Sequence, residues 1–118
     1  MTQHLTLHSR TTLTGVVIEL AGELDFHTAD QFRTTLASLG LQPGRQLVLD
    51  LGGLTFCDST GITVLIAARN HALATDAGVA LAAVPDHVSR IFRMVGLDQV
   101  FPSHPDVQAA EAAWRPTT

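Results

Sequence analysis

Lysine is absent from this chain of 118 residues, cysteine occurs once, and charged residues make up only 15% of it. All seven basic residues are Arg, scattered from Arg10 to Arg115, and the formal net charge is -4. Nucleic-acid binding needs a concentrated basic face, so that class of function is not expected. A single cysteine, Cys57, rules out an internal disulfide and a multi-thiolate zinc site; a small buried hydrophobe is its expected role, ahead of a reactive thiol. No run approaches the roughly eighteen apolar residues of a membrane span, so no membrane insertion is expected. Met1 to Leu5 lacks a basic segment followed by an apolar one, which predicts no secretory signal and a cytoplasmic address. The six His residues show no chelating pattern: His4 and His8 fall in a strand-like segment, where strand rise puts them roughly 13 Å apart. Neither a metal nor a cofactor is expected.

What is present is an apolar chain, 46% hydrophobic, long enough for one domain that buries roughly two thirds of its unfolded surface. Leu5 and Leu7 alternate with His4, Thr6 and His8, as in a half-buried strand. A turn at Thr12 to Gly15 leads to a strand over Val16-Val17-Ile18-Glu19-Leu20. Gly22-Glu23-Leu24-Asp25 reads as a polar break. Ala29, Phe32, Leu36 and Leu39 then recur at helical spacing, predicting a helix over 28–39 stopped by Gly40. Leu47 to Leu51, after a turn at Gln42-Pro43-Gly44, reads as a central strand buried on both faces. The spacing of Ile62, Leu65, Ile66 and Leu73 predicts a helix over 60–75, ended by Gly78.

Val79 to Val84 is the next strand, with Pro85-Asp86 as break and N-cap. Val88, Ile91, Phe92 and Val95 mark the buried stripe of a short helix closed at Gly96. Val100-Phe101 is expected as a short edge strand, Val107, Ala110 and Trp114 as a last helix, and 115–118 as a frayed tail. Strand and helix alternation after an opening hairpin predicts an α/β fold: a mixed sheet of four to five strands, with about four helices mainly on one face.

Two segments carry the chemistry. The first is Gly22-Glu23-Leu24-Asp25-Phe26-His27-Thr28, a polar loop opening a helix. The second is Asp58-Ser59-Thr60-Gly61-Ile62, where a strand and short loop give way to a helix. Ser59 or Asp58 can cap that helix, an arrangement worth about 1 kcal/mol. Capping does not account for Gly61, since glycine in a first turn costs up to roughly 1 kcal/mol unless something approaches closely.

Together the segments resemble the anti-sigma factor antagonists of the STAS domain family: a Gly-Glu-Leu-Asp motif before the first helix, and an Asp-Ser-Xaa-Gly helix start. Ile91 to Leu97 adds a weaker likeness, and Thr63 and Phe26 depart from common family choices. The resemblance spans nearly the whole chain and implies a single STAS domain over 1–118. It implies that an anti-sigma factor serine kinase, using ATP, phosphorylates Ser59, that the unmodified protein binds this factor and frees a sigma factor, and that a phosphatase resets it. No enzymatic activity is implied.

Partner binding is then expected at Asp25, Thr28, Asp58, Thr60, Gly61 and Ile62. Each has a plainer role as well: Asx-turn stabiliser for Asp25, helix caps for Thr28 and Asp58, and a core position for Ile62. For Gly61, clearance for an approaching kinase stands against loop-end flexibility. Asp25 would lie near Ser59 if the two motif loops end parallel strands on one side of the sheet. Thr60 is a second hydroxyl beside the acceptor.

Two other classes compete. An enzyme with Ser59 as nucleophile and His27 as base lacks a Gly-Xaa-Ser-Xaa-Gly elbow, and Asp58 puts negative charge where an oxyanion forms. A STAS accessory subunit of a membrane transporter or larger signalling assembly would need no hydroxyl at Ser59.

Overall fold

The computed structural model describes residues 4–116. In chain order its elements are β1 (Leu5–Thr11), β2 (Gly15–Leu24), α1 (Ala29–Ala37), β3 (Gln46–Cys57), α2 (Ser59–Ala74), β4 (Gly78–Ala82), α3 (Asp86–Met94), a 3-10 turn (Leu97–Gln99), β5 (Ser103–His104) and α4 (Val107–Ala113). The sheet order is β1-β2-β3-β4-β5, antiparallel between β1 and β2 and parallel elsewhere. β3 lies at the centre, as the run from Leu47 to Leu51, apolar but for Asp50, predicts, and the mixed sheet is the one expected.

Strand alternation sorts the core into two layers. Leu47, Leu49 and Leu51 of β3 face Phe32 and Leu36 of α1, Val64, Leu65 and Ala68 of α2, and Val88 and Phe92 of α3 in the main core. Val48 points the other way, with Val17, Ala80 and Ala82, and meets Ala110 and Val107 of α4. Three helices therefore cover one face and α4 the other. Trp114 follows α4 and packs over Gly78, where a Cβ would collide with the indole. Among the described residues no helix is long and apolar enough to cross a membrane.

Both strands that lead to the motifs run further than their periodicity predicts. β2 continues through the supposed break to Leu24, because pairing with β1 and β3 holds it in the sheet while its polar residues face outward. Irregularities between Glu19 and Ala21 and between Gly22 and Glu23 absorb the mismatch. β3 likewise runs on through the expected loop to Cys57, and Gly53 fits there because a Cβ would come within 2.8 Å of the Ala21 Cβ.

Further along, Val100-Phe101 is not a strand: Phe101 enters the main core, and the edge strand is Ser103–His104, paired with Leu81 and Ala82. Apolar character there signals burial, not pairing. Asp86 is not the cap of α3 but its first residue; Pro85 takes the cap position in an extended conformation. On α3, Val88 and Phe92 are buried, but Ile91 and Val95, expected beside them, are exposed. At the C-terminal end Arg115 donates to the carbonyls of Ala112 and Trp114, and the rest of the expected tail, 117–118, lies outside the described residues, as do Met1 to Gln3.

Candidate functional site

Because β2 and β3 are parallel and paired to their ends, Leu24 opposite Cys57, the two motif loops leave the sheet side by side. The amide of Asp58 donates to the Leu24 carbonyl at 3.3 Å. The condition for bringing the two loops together is thus met. Asp58 then joins them through its side chain: Oδ1 accepts from the Gly61 amide at 2.9 Å, and Oδ2 from the Phe26 amide at 3.2 Å. One carboxylate caps α2 and ties down the neighbouring loop.

Asp58, extended at φ -95° and ψ -171°, is the cap, so Ser59 is not. Ser59 is the first residue of α2, exposed, and its Oγ makes no hydrogen bond among the described residues. Its carbonyl accepts from Thr63 Oγ1 at 3.0 Å. Thr60, one residue on, is half-buried. The two adjacent hydroxyls are therefore unequal in access.

Gly61 is buried, and its clearance serves the protein's own fold. A Cβ there would lie 2.8 Å from Cys57 Sγ and 3.1 Å from the Leu24 carbonyl carbon, and nearer still to the Leu24 oxygen. Its backbone is helical, without the positive φ found at Gly22 or Gly96, so space and not flexibility demands glycine. The fold alone is thus sufficient reason for glycine here, whatever a partner also requires. Ile62 is half-buried and packs against the main core, its plainer role.

The first loop is knotted by its own side chains. Asp25 is only 8% exposed, and its Oδ1 accepts from the amides of His27 at 2.9 Å and Thr28 at 3.2 Å, an Asx turn. Thr28 occupies the cap position of α1 without capping it. Its hydroxyl donates to the Glu23 carbonyl at 2.9 Å and accepts from the Asp25 amide at 2.9 Å. Asp25 and Thr28 therefore give shape to the loop and offer little surface outward. Phe26, at its tip, is 72% exposed and stands edge-on to His27, with ring centroids 5.6 Å apart.

Cys57 is buried beneath Gly61, the hydrophobe expected. Burial, reinforced by the Asp58 carboxylate, pushes its thiol up to about 12, which keeps it protonated and unreactive at neutral pH. His27 is exposed and makes no hydrogen bond to Ser59 among the described residues, and no group of three or more His, Cys, Asp or Glu is placed to hold a metal. Sequence periodicity missed the Asp58 to Phe26 tie and the exposed Phe56 at the end of β3. Phe26, an aromatic where polar residues are common, was the one available signal.

The family model described as Mlab, STAS domain matches residues 7–102. The chain is 30% identical over 88 residues to an anti-sigma F factor antagonist of Paenibacillus polymyxa, covering 74% of this chain and 75% of that one. It superposes on an anti-sigma factor antagonist from Mycobacterium paratuberculosis with a TM-score of 0.76 at 25% identity, covering 92% of each chain. With the phosphorylated form of the Bacillus cell fate determinant SpoIIAA it shares the fold, at a TM-score of 0.67 and 22% identity over 93% of this chain and 99% of that one.

Proposed function

This chain belongs to the STAS domain family of anti-sigma factor antagonists, and on that premise we propose that it is a non-catalytic, cytoplasmic switch controlled by phosphorylation of Ser59. Unmodified, it binds an anti-sigma factor that is also a serine kinase and so releases a sigma factor. Phosphorylated on Ser59 by that partner and ATP, it lets go, until a phosphatase restores it.

The observation that carries this is the division of labour at the head of α2. Asp58 does the capping, which leaves an exposed Ser59 hydroxyl that the fold does not use. A group that stabilises nothing inside is free to be modified. Phosphate would add about -1.5 to -2 charges at neutral pH. At the first position of a helix the macrodipole favours an anion by roughly 0.3 to 1 kcal/mol, so the fold tolerates it. An interface closing on the dianion without a cation to meet it would lose several kcal/mol, and about 4 kcal/mol is a thousandfold in affinity. Asp58 shapes the surface the partner meets, while Asp25 and Thr28 hold the neighbouring loop in place. Gly61 lets α2 start against β2, and Ile62 and Thr60 form the shoulder behind the acceptor.

The test is to incubate the chain with ATP and the anti-sigma factor kinase of the same organism and map the phosphate by mass spectrometry. One phosphate is expected, on Ser59, absent in Ser59→Ala, and Ser59→Asp should bind that partner more weakly at an unchanged melting temperature. Phosphate on Thr60, or none at all, would falsify the assignment. Unphosphorylated chain held by a permease would favour the transporter subunit instead.

A further inference from the structure

The turn between β1 and β2 carries a residue that neither the fold nor the switch uses. Such turns are ordinarily built from polar residues and glycine, yet Leu13 stands at the tip of this one. It is 95% exposed, more than any other large apolar side chain among the described residues. The tip lies at the end of the sheet opposite Ser59, where β2, β3 and β4 begin, and hydrogen bonds join that end into one surface. Arg45 Nη1 donates to the Leu13 carbonyl at 2.8 Å. The Gln46 amide donates to the Thr14 carbonyl at 2.8 Å, and the Gly44 amide to the Asp76 carbonyl at 3.0 Å. Asp76 in turn borders an open hollow of about 540 Å³, walled by Leu73, Ala77, Gly78 and Trp114. Leu73 is exposed there and Trp114 half-buried.

The strand order fixes how these features succeed one another. Leu13 belongs to the β1–β2 turn, Arg45 leads into β3 and Asp76 into β4. From one side to the other, the surface therefore reads apolar knob, cation, anion, apolar hollow. Arg45 and Asp76 are both exposed, and neither forms an ion pair among the described residues. A two-fold axis through the middle of such a row lays cation on anion and knob on hollow, twice over, which is the self-complementarity of an isologous interface. An anionic membrane would accept Leu13 and Arg45 but repel Asp76.

We propose that this end of the sheet binds a second copy of the chain. Leu13 of each copy enters the hollow beside Trp114 of the other, and Arg45 of each meets Asp76 of the other. The contact is independent of the phosphoswitch read above, because Ser59 follows the opposite ends of β2 and β3. The dimer therefore carries two Ser59 surfaces that point away from each other, both uncovered. A contact confined to one end of a sheet belongs to the small class of interfaces, so the dimer is weak, with Kd above about 1 μM.

The test is sedimentation velocity of the full chain from about 1 μM to about 1 mM. Emission from Trp114, the only tryptophan, is read over the same range. A monomer–dimer equilibrium is expected, with emission moving to the blue as Leu13 displaces water from the indole, and with salt favouring the monomer. Leu13→Glu should raise Kd about tenfold, as loss of an interface anchor does. Asp76→Asn keeps a residue that tolerates the positive φ of 61° at this position and removes both ion pairs, so Kd should rise about fivefold. Phe26→Ser, at the Ser59 end, should leave Kd unchanged. A chain that stays monomeric throughout refutes the second copy, as does a dimer that Leu13→Glu and Asp76→Asn both leave intact. A monomer that floats with vesicles of anionic phospholipid, and no longer does so as Leu13→Glu, assigns this end to a membrane surface and refutes the dimer too.

Discussion

Replacing Gly61 with alanine separates two explanations of this residue, and the structure supplies the magnitude. The added methyl would lie 2.8 Å from Cys57 Sγ and 3.1 Å from the carbonyl carbon of Leu24, both well inside van der Waals contact. Neither neighbour can yield cheaply. Leu24 is backbone at the paired end of β2, and Cys57 is held in β3 directly opposite. The first turn of α2 must move outward instead, stretching the 3.3 Å hydrogen bond from the Asp58 amide to the Leu24 carbonyl.

Overpacking of this kind costs about 1 to 3 kcal/mol. Alanine returns part of that, up to about 1 kcal/mol, through its better helix propensity. The net loss of roughly 1 to 2 kcal/mol should lower the melting temperature by about 4 to 8 °C for a domain of this size, read by differential scanning calorimetry. Phosphorylation of Ser59 should slow as well, because the acceptor rides on the displaced turn. A Gly61→Ala protein as stable as wild type but resistant to the kinase would overturn this account and return Gly61 to the role of clearing space for a partner.

Asp58→Ala removes the cap of α2 and orphans the Phe26 amide together, so chemical denaturation should show a loss of about 1 to 2 kcal/mol, with Asp58→Asn losing less because its amide oxygen can still cap. Equal stability of all three proteins would mean that the tie between the loops does nothing. The Cys57 thiol should resist a disulfide reagent in the folded protein at pH 8 and react once in denaturant; rapid labelling of the native state would contradict its burial. Its folded pKa of about 12 exceeds the unfolded value of 9.0, so the native state holds the proton more tightly. That contribution to stability is complete below pH 9.0 and should drain away as the pH rises toward 12.

The central strand, the three main helices and the mixed sheet were legible because each rests on a local signal: the apolar run at Leu47 to Leu51, the period of Ala29, Phe32 and Leu36, the glycines that follow. Pairing is not local, and there the sequence misled. Glu23 reads as a break, yet it sits in β2 because β3 is beside it. The same holds at the site. Asp58 and Ser59 were equal candidates for the cap until the backbone showed which side chain turns back to the Gly61 amide. Gly61 looked like an opening for a visitor because nothing in the neighbouring residues announces the Leu24 carbonyl, which arrives from thirty-seven positions away in sequence. Ile91 and Val95 have helical spacing suited to the core, but the core beneath α3 is filled by Val88 and Phe92 alone.

The order of the strands also bears on how the molecule comes together. Only β1 and β2 can find each other through a short turn. The pairing of β2 with β3 must close a loop that contains all of α1, and such non-local contacts are slow to form because the chain loses entropy before it gains contacts. The Asp58 bridge to Phe26 depends on that late pairing, and so does the helix start that presents Ser59. A chain arrested halfway through folding has the serine but not the surface around it. The surface around Ser59 is therefore among the last parts of the fold to be completed, and it exists only where β2 and β3 are paired to their ends.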